Sequence, residues 1–211
     1  NQLVPELEGK KPGTWQSKNF PYLRNIIYIG EKQHDGMINW DYLYELGQSV
    51  SDEELVQVQK SLDVHDVVNM QYTSGTTGFP KGVMLTHYNI VNNGKSIGDR
   101  MKFTHKDRLC IPVPLFHCFG LVLGVMASVT HGTSMVILEY FSPLKVLEAV
   151  TAEKCTAVHG VPTMFIAMLE HPEFKRFSFP HLRTGIMAGS PCPVKVMRQV
   201  QDEMNLKEIT I

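Results

Sequence analysis

Between Tyr72 and Gly82 the chain reads Tyr72-Thr73-Ser74-Gly75-Thr76-Thr77-Gly78-Phe79-Pro80-Lys81-Gly82. Four hydroxyls, three glycines and one lysine fall within ten positions. A glycine-rich turn can aim consecutive backbone N–H groups at an anion, most effectively where a strand passes into a helix. The hydroxyls add donors and could also touch a metal ion carried on a phosphate. Lys81 brings a mobile positive charge, and Phe79-Pro80 stiffens its approach. The set suits a polyphosphate. The plain alternative is a flexible Ser/Thr/Gly loop of the kind many proteins carry. It is not a Walker A loop, because Lys81 lies three residues after Gly78 and is followed by Gly82 rather than Ser or Thr. A G-x-G-x-x-G dinucleotide fingerprint is also absent.

Three further stretches carry groups that could act on a ligand. In Pro114-Leu115-Phe116-His117-Cys118-Phe119-Gly120, a histidine among aromatics could gate an apolar cleft or point a hydrogen bond at a carboxylate. A lone histidine is more often a satisfied, half-buried one. His159-Gly160-Val161-Pro162-Thr163-Met164 reads as a strand–turn–helix junction, with Pro162 at the helix start. Met187-Ala188-Gly189-Ser190-Pro191 offers small residues that let backbone lie flat against an aromatic ring, although Gly-Ser-Pro turns are common. Met164, Met168 and Met187 could line an apolar tunnel or simply fill a core. His87 and His105 receive no role, and the nine histidines show no H-x-x-x-H spacing.

Tyr72 to Gly82, continuing into Val83-Met84-Leu85-Thr86-His87, resembles the phosphate-loop signature of the AMP-forming adenylate synthetases: acyl-CoA synthetases, luciferases and peptide-synthetase adenylation domains. The resemblance runs from about Val67 to Ile211 through four ordered segments, and is closest to the acyl-CoA synthetases. It implies ATP-dependent conversion of a carboxylic acid to an acyl-adenylate, then thioesterification to coenzyme A. By resemblance, Thr73, Ser74, Gly75, Thr76, Thr77, Gly78, Phe79, Pro80 and Lys81 bind the ATP phosphates, with Mg²⁺ carried on ATP rather than by protein ligands. Lys81, Thr77 and His117 are the expected catalytic groups, His117 positioning the carboxylate rather than moving a proton. Phe116, His117, Val161, Pro162 and Met164 are expected along the acyl group. Ala188, Gly189, Ser190 and Pro191 are expected to floor the adenine.

The resemblance also marks departures. The family continues past this point with a Tyr-Gly-x-Thr-Glu segment, a ribose-binding Asp, a hinge and a small C-terminal domain with a catalytic Lys. The chain stops at Ile209-Thr210-Ile211 and starts at Asn1. The expectation is an internal fragment of the large N-terminal domain, inactive in isolation. A non-catalytic nucleotide-binding module, a luciferase-like oxidase and an amino-acid-activating domain are the alternatives. The last is disfavoured because Cys118-Phe119 and their neighbours supply no Asp for an α-amino group.

These loops need a scaffold. From Val67 onward, apolar runs at 67–72, 109–113, 134–138, 156–159, 184–188 and 208–211 alternate with helix-like stretches at 87–101, 119–130, 143–154, 163–170 and 193–204. That alternation predicts an α/β fold, a mostly parallel sheet with helices on both faces. Ligands then gather at the carboxyl ends of the strands, where all four segments fall. Thr86, Ser142 and Pro193 are expected at helix starts. Val67–Tyr72 reads as a buried strand leading into the loop. Residues 1–66 form an expected partial flanking subdomain and 67–211 the nucleotide- and acyl-binding subdomain. In the former, Leu23 to Gly30 predicts a strand, Ile38 to Gly47 a short helix, Lys10 to Gly13 a turn, and Ser51 with Glu54 a capping box.

Bulk composition narrows the functions. With 211 residues and 43% hydrophobic content the chain can bury a sizeable core. Twenty Lys plus Arg against 21 Asp plus Glu leave a net charge of −1, without the basic surface that nonspecific nucleic-acid binding needs. Cys110, Cys118, Cys155 and Cys192 form no C-x-x-C pair and read as reduced thiols of a cytoplasmic protein. No run of 18 apolar residues predicts a membrane span.

Overall fold

The computed structural model describes residues 3–73 and 78–211. These divide into two compact units, Asn1–Leu62 and Asp63–Ile211.

The first unit holds a short parallel pair, β1 (Ile27–Tyr28) and β2 (Ile38–Asn39), followed by α1 (Tyr42–Gly47) and α2 (Asp52–Ser61). The predicted strand at 23–30 shrinks to two residues, and residues 38–39 are strand rather than helix. A small cluster of Val4, Leu7 and Trp15 organises this unit. Trp15 Nε1–H donates to Gly36 O at 2.8 Å, which satisfies the buried indole. The Lys11–Thr14 turn closes with Thr14 N–H on Lys11 O. At α2 the capping box forms in full: Glu54 N–H donates to Ser51 Oγ, and Ser51 N–H donates to Glu54 Oε2.

The second unit opens with a hairpin. β3 (Val67–Tyr72) pairs antiparallel with β4 (Gly82–Thr86), Tyr72 opposite Gly82. Two expectations fail here. β3 is not a buried strand of the parallel sheet: it belongs to a separate two-stranded sheet, and Val67, Val68, Met70 and Tyr72 are all exposed. The loop after it joins strand to strand, not strand to helix, so a helix N-terminus does not adjoin it. Val83-Met84-Leu85, an apolar run outside the elements expected from the sequence, forms the middle of β4. Thr86 itself caps α3 (His87–Arg100) in a reciprocal box with Asn89.

Five parallel strands follow: β5 (Arg108–Ile111), β6 (Ser134–Ile137), β7 (Ala157–Gly160), β8 (Thr184–Met187) and β9 (Glu208–Thr210), in the spatial order β6-β5-β7-β8-β9. Between them lie a π-helical stretch Phe119–Met126 running into α4 (Ala127–His131), then α5 (Pro143–Ala152), α6 (Pro162–Leu169) and α7 (Val194–Glu203). β7 and β8 are buried at every position, because helices cover both faces. Side chains alternate between those faces. On β5, Cys110 joins one cluster with Val158, Leu147, Phe165 and Val200, while Leu109 and Ile111 join a second with Met101, Phe103 and Phe119. Pro193 is the residue before α7 rather than a first-turn residue, in an extended conformation that the helix interior excludes.

The predicted α-helix at 119–130 is instead π-helical over its first eight residues. The backbone there is held from outside. A Cβ on Gly120 would lie 2.3 Å from Pro114 O, so the stretch sits hard against the loop after β5. His159 Nε2 lies 3.1 Å from Leu123 O and gives that carbonyl a donor from the sheet.

Candidate functional site

The strand order reverses at β5. The chain leaves β5 for β6 on one side and returns to β7 on the other. In an open parallel sheet this places a crevice at the carboxyl ends of β5 and β7. The segments emerging there are 112–118 and 161–164, two of those singled out in the sequence.

Phe116 and His117 lie on the turn after β5 and are both exposed, Phe116 at 85%. His117 Nδ1 accepts the Phe119 N–H at 3.1 Å. A neutral ring therefore carries its proton on Nε2 and can donate from it. The Cys118 thiol is 3.7 Å from the same Nδ1. Phe116 and Met164 share a cavity of about 470 Å³ with Pro112, Ile137, Tyr140 and Phe141. Met164 and Val161 are half-buried, while Pro162 is buried and opens α6.

The β8 turn lies beside the β7 turn. Ala188 N–H donates to Gly160 O at 3.2 Å, continuing the sheet ladder by one step. Gly189 has φ +89°, where a side chain is strained, and a Cβ there would meet Val161 Cγ1 at 3.1 Å. The Cys192 thiol donates to Met187 O at 2.9 Å and closes the turn. Gly189, Ser190 and Pro191 are exposed and Ala188 half-buried.

The hairpin loop reaches the same end. Thr73 N–H donates to Lys81 O at 2.9 Å, and Lys81 N–H donates to Thr73 Oγ1 at 3.1 Å, so the two ends of the loop are tied. Gly78, Phe79, Pro80 and Lys81 are exposed. Ser74, Gly75, Thr76 and Thr77 lie outside the described residues. Gln71 Nε2–H donates to Phe116 O at 3.4 Å and joins the hairpin to the β5 turn. Reading the sequence did not single out Gln71. Its signal was the alternation of polar Asn69 and Gln71 with apolar neighbours in β3. Ile137, Tyr140 and Phe141 were also missed, because the edge strand β6 carries no motif.

Behind the crevice, His159 is wholly buried between Phe103 and Phe119. Ile186 N–H donates to its Nδ1 at 3.3 Å, so Nε2 bears the proton given to Leu123 O. Burial pushes the imidazole down to about 4, outweighing its backbone hydrogen bonds. It is a neutral strut that fixes the π-helical stretch, and with it the His117 turn. Among the described residues no group of three or more His, Cys, Asp or Glu side chains could hold a metal ion, and no helix is long and apolar enough to cross a membrane.

A doubly covered parallel sheet with the Phe116-His117, Val161–Met164 and Ala188–Pro191 turns at its carboxyl edge defines an open α/β class. The sequence matches the family described as AMP-binding enzyme over residues 21–210, and the chain belongs to that family. It is 55% identical over 211 residues to the Bacillus subtilis protein YngI, named as an acyl-CoA synthetase, covering 100% of this chain and 38% of that one. It is 39% identical over 215 residues to the Mus musculus mitochondrial medium-chain acyl-CoA ligase ACSF2, covering 100% of this chain and 35% of the relative. The chain thus spans little more than a third of these relatives. Among solved structures it resembles a Mycobacterium tuberculosis fatty acyl CoA synthetase (TM-score 0.66, 28% identity, 80% of this chain and 32% of that one). It also resembles ATP-bound MatB from Rhodopseudomonas palustris (TM-score 0.58, 31% identity, 66% of this chain and 27% of that one).

Proposed function

We propose that the protein carrying this chain is an AMP-forming acyl-CoA synthetase of the cytoplasm, taking a fatty or medium-chain acid, ATP and coenzyme A. What supports the reading is a pair of links at the carboxyl edge of the sheet: the Gln71 side-chain amide donates to Phe116 O beside His117, and Ala188 N–H donates to Gly160 O beside Val161.

The physical difficulty of the first step is charge. A carboxylate has to approach a polyphosphate, and the leaving pyrophosphate gathers more negative charge. Lys81 and the loop's N–H and hydroxyl groups from Thr73 to Thr77 offset it in a partly dry cleft. Mg²⁺ arriving on ATP would add Lewis-acid neutralisation of the same oxygens. His117, with its proton on Nε2, orients the acid carboxylate. Ala188, Gly189, Ser190 and Pro191 offer the adenine a flat surface without bulky side chains. Phe116, Val161 and Met164 line the acyl path, Pro162 fixing its turn. In the second step coenzyme A takes the acyl group and AMP leaves.

The test is pyrophosphate release by the intact protein over a panel of carboxylic acids. Turnover with aliphatic acids, and thioester formation only with coenzyme A, is the expected result. Turnover with amino acids, light or peroxide output, or no turnover with any acid would overturn it. The 211-residue chain alone, which lacks most of the length of its relatives, is expected to form no acyl-CoA.

A further inference from the structure

Gln71 reaches from the hairpin to the β5 turn, and the proposed steps give it no part. In β3 it stands opposite Val83 and shares a half-buried face with Asn69, whereas Val68, Met70 and Tyr72 are exposed. Side chains alternate along a strand, so the ladder itself sets the direction of the Gln71 amide. The backbone around it is fixed. Two residues on, Thr73 N–H donates to Lys81 O and Lys81 N–H to Thr73 Oγ1, so Gln71 and Lys81 belong to one hydrogen-bonded arm.

The Phe116-His117 turn is otherwise held by its own residues. His117 N–H donates to Pro114 O, Phe119 N–H to His117 Nδ1, and Leu121 N–H to His117 O, all within the segment from Pro114 to Leu121. Among the described residues, Gln71 is the one residue of another element that hydrogen-bonds to the turn: its Nε2–H lies on Phe116 O at 3.4 Å. Peptide planarity makes the Phe116 carbonyl and the His117 N–H one rigid unit. Gln71 on the carbonyl and Pro114 O on the N–H therefore hold opposite ends of the plane from which the His117 side chain departs.

We propose that Gln71 is a positioning residue for the carboxylic acid: it holds the Phe116-His117 peptide against the arm that carries Lys81, so that the imidazole meets the carboxylate at a fixed offset from the phosphate-binding ammonium. The inference rests on the acyl-CoA synthetase reading above and adds a determinant of acid recognition to it. Gln71 acts through His117 rather than on either substrate. An amide suits the task, because it donates to a carbonyl and brings no charge of its own beside two anionic substrates. The bond is open to solvent, so it contributes little to stability. Misplacing a group that orients a reactant, by contrast, can cost about 10²-fold in rate. The two effects can therefore be separated.

The test follows pyrophosphate release by the intact protein in Gln71→Glu and Gln71→Met. Glutamate keeps the length of the side chain and turns an oxygen toward Phe116 O; methionine keeps the length without a donor. Both variants should lower kcat/KM for the acid by about 10-fold or more. KM for ATP should stay at the parent's value, and so should the melting temperature, as for most surface changes. An acid kcat/KM equal to the parent's in both variants would overturn the proposal. A loss in Gln71→Glu alone would reflect repulsion between two oxygens and would overturn it too. So would an equal rise in KM for acid and ATP, which would assign Gln71 to the hairpin, or a loss matched by a fall in melting temperature, which would make it structural. A parent that turned over no acid would overturn the acyl-CoA synthetase reading and this inference with it. A competent parent with unimpaired variants would overturn this inference alone.

Discussion

Arg183 and Asp107 close the amino ends of β5 and β8 around one carboxylate oxygen: Arg183 Nη2 and Nε lie 3.0 and 3.2 Å from Asp107 Oδ1. Thr156 Oγ1–H reaches the same oxygen at 2.8 Å, while Thr104 N–H and Oγ1–H reach Oδ2. Arg183 also donates to Met101 O and Lys102 O. This end of the sheet is locked, while the opposite end carries the exposed loops of the candidate site. Asp107→Ala leaves the guanidinium and three donors short of an acceptor. The expected cost is about 2–3 kcal/mol, below the figure for a fully buried pair because Arg183 is partly open to water. Urea denaturation of the variant against the parent chain measures it, and an unchanged midpoint would refute the assignment.

The same carboxylate sets an acid limit. Burial pulls its pKa up, but Thr156, Thr104 N–H and Arg183 together outweigh burial and hold it below the usual carboxylate value. A carboxylate depressed in the folded state contributes stability that is present above its unfolded pKa and is lost as pH falls through the folded one. Below about pH 4 the parent chain should therefore lose stability that Asp107→Asn never had, and the two denaturation curves should converge.

His159 acts in a higher pH window. Its imidazole falls from 6.5 to about 4 on burial, so the folded state disfavours its protonation. Stability should be whole above pH 6.5 and decline as pH drops toward 4, by on the order of 3 kcal/mol in all. In His159→Phe the absolute stability is lower, because Leu123 O and Ile186 N–H lose their partner. The slope between pH 6.5 and 4 should flatten, however. An unflattened slope would assign the decline to other groups.

The sequence revealed the parallel sheet more fully than it revealed the hairpin, for a physical reason. β5, β7 and β8 are buried on both faces, so their apolar runs stand out against the helices between them. β3 also carries Val67, Val68, Met70 and Tyr72, yet these are exposed, and its one departure from an apolar run is the alternating Asn69 and Gln71; burial depends on what the strand packs against. Capping was legible at Ser51 and Thr86 because hydroxyl-to-N3 spacing is local. The π-helical stretch was not, since it depends on how the chain folds back on Pro114 and on His159, 36 residues from Leu123. At the site, motif-bearing turns could be read, but the links between them, Gln71 to Phe116 and Ala188 to Gly160, are tertiary.

Gly120 tests how the π-helical stretch positions the His117 turn. A methyl there would meet Pro114 O at 2.3 Å and Pro114 C at 2.8 Å, both backbone atoms with little room to yield. Gly120→Ala should destabilise the chain by about 1–3 kcal/mol. It should also shift the His117 and Phe119 amide resonances, because the Phe119 N–H bond to His117 Nδ1 spans the displaced segment. Stability and spectra like those of the parent would show that the contact is not binding on the turn.

The catalytic role proposed for Lys81 can be tested apart from folding. Its side chain is exposed, and the loop ends are tied through backbone atoms and Thr73 Oγ1 rather than through the ammonium. Lys81→Ala should leave the melting temperature within a degree or so, as surface changes usually do. In the intact protein the same change should cut pyrophosphate release by roughly 10²–10³-fold, the scale seen when one donor to a developing charge is removed. Lys81→Arg keeps the charge but spreads it over a planar fork, and should recover only part of the rate. If Lys81→Ala kept full turnover, the ammonium would have no part in offsetting the phosphate charge. If it lowered stability and turnover together, the residue would belong to the scaffold rather than the chemistry.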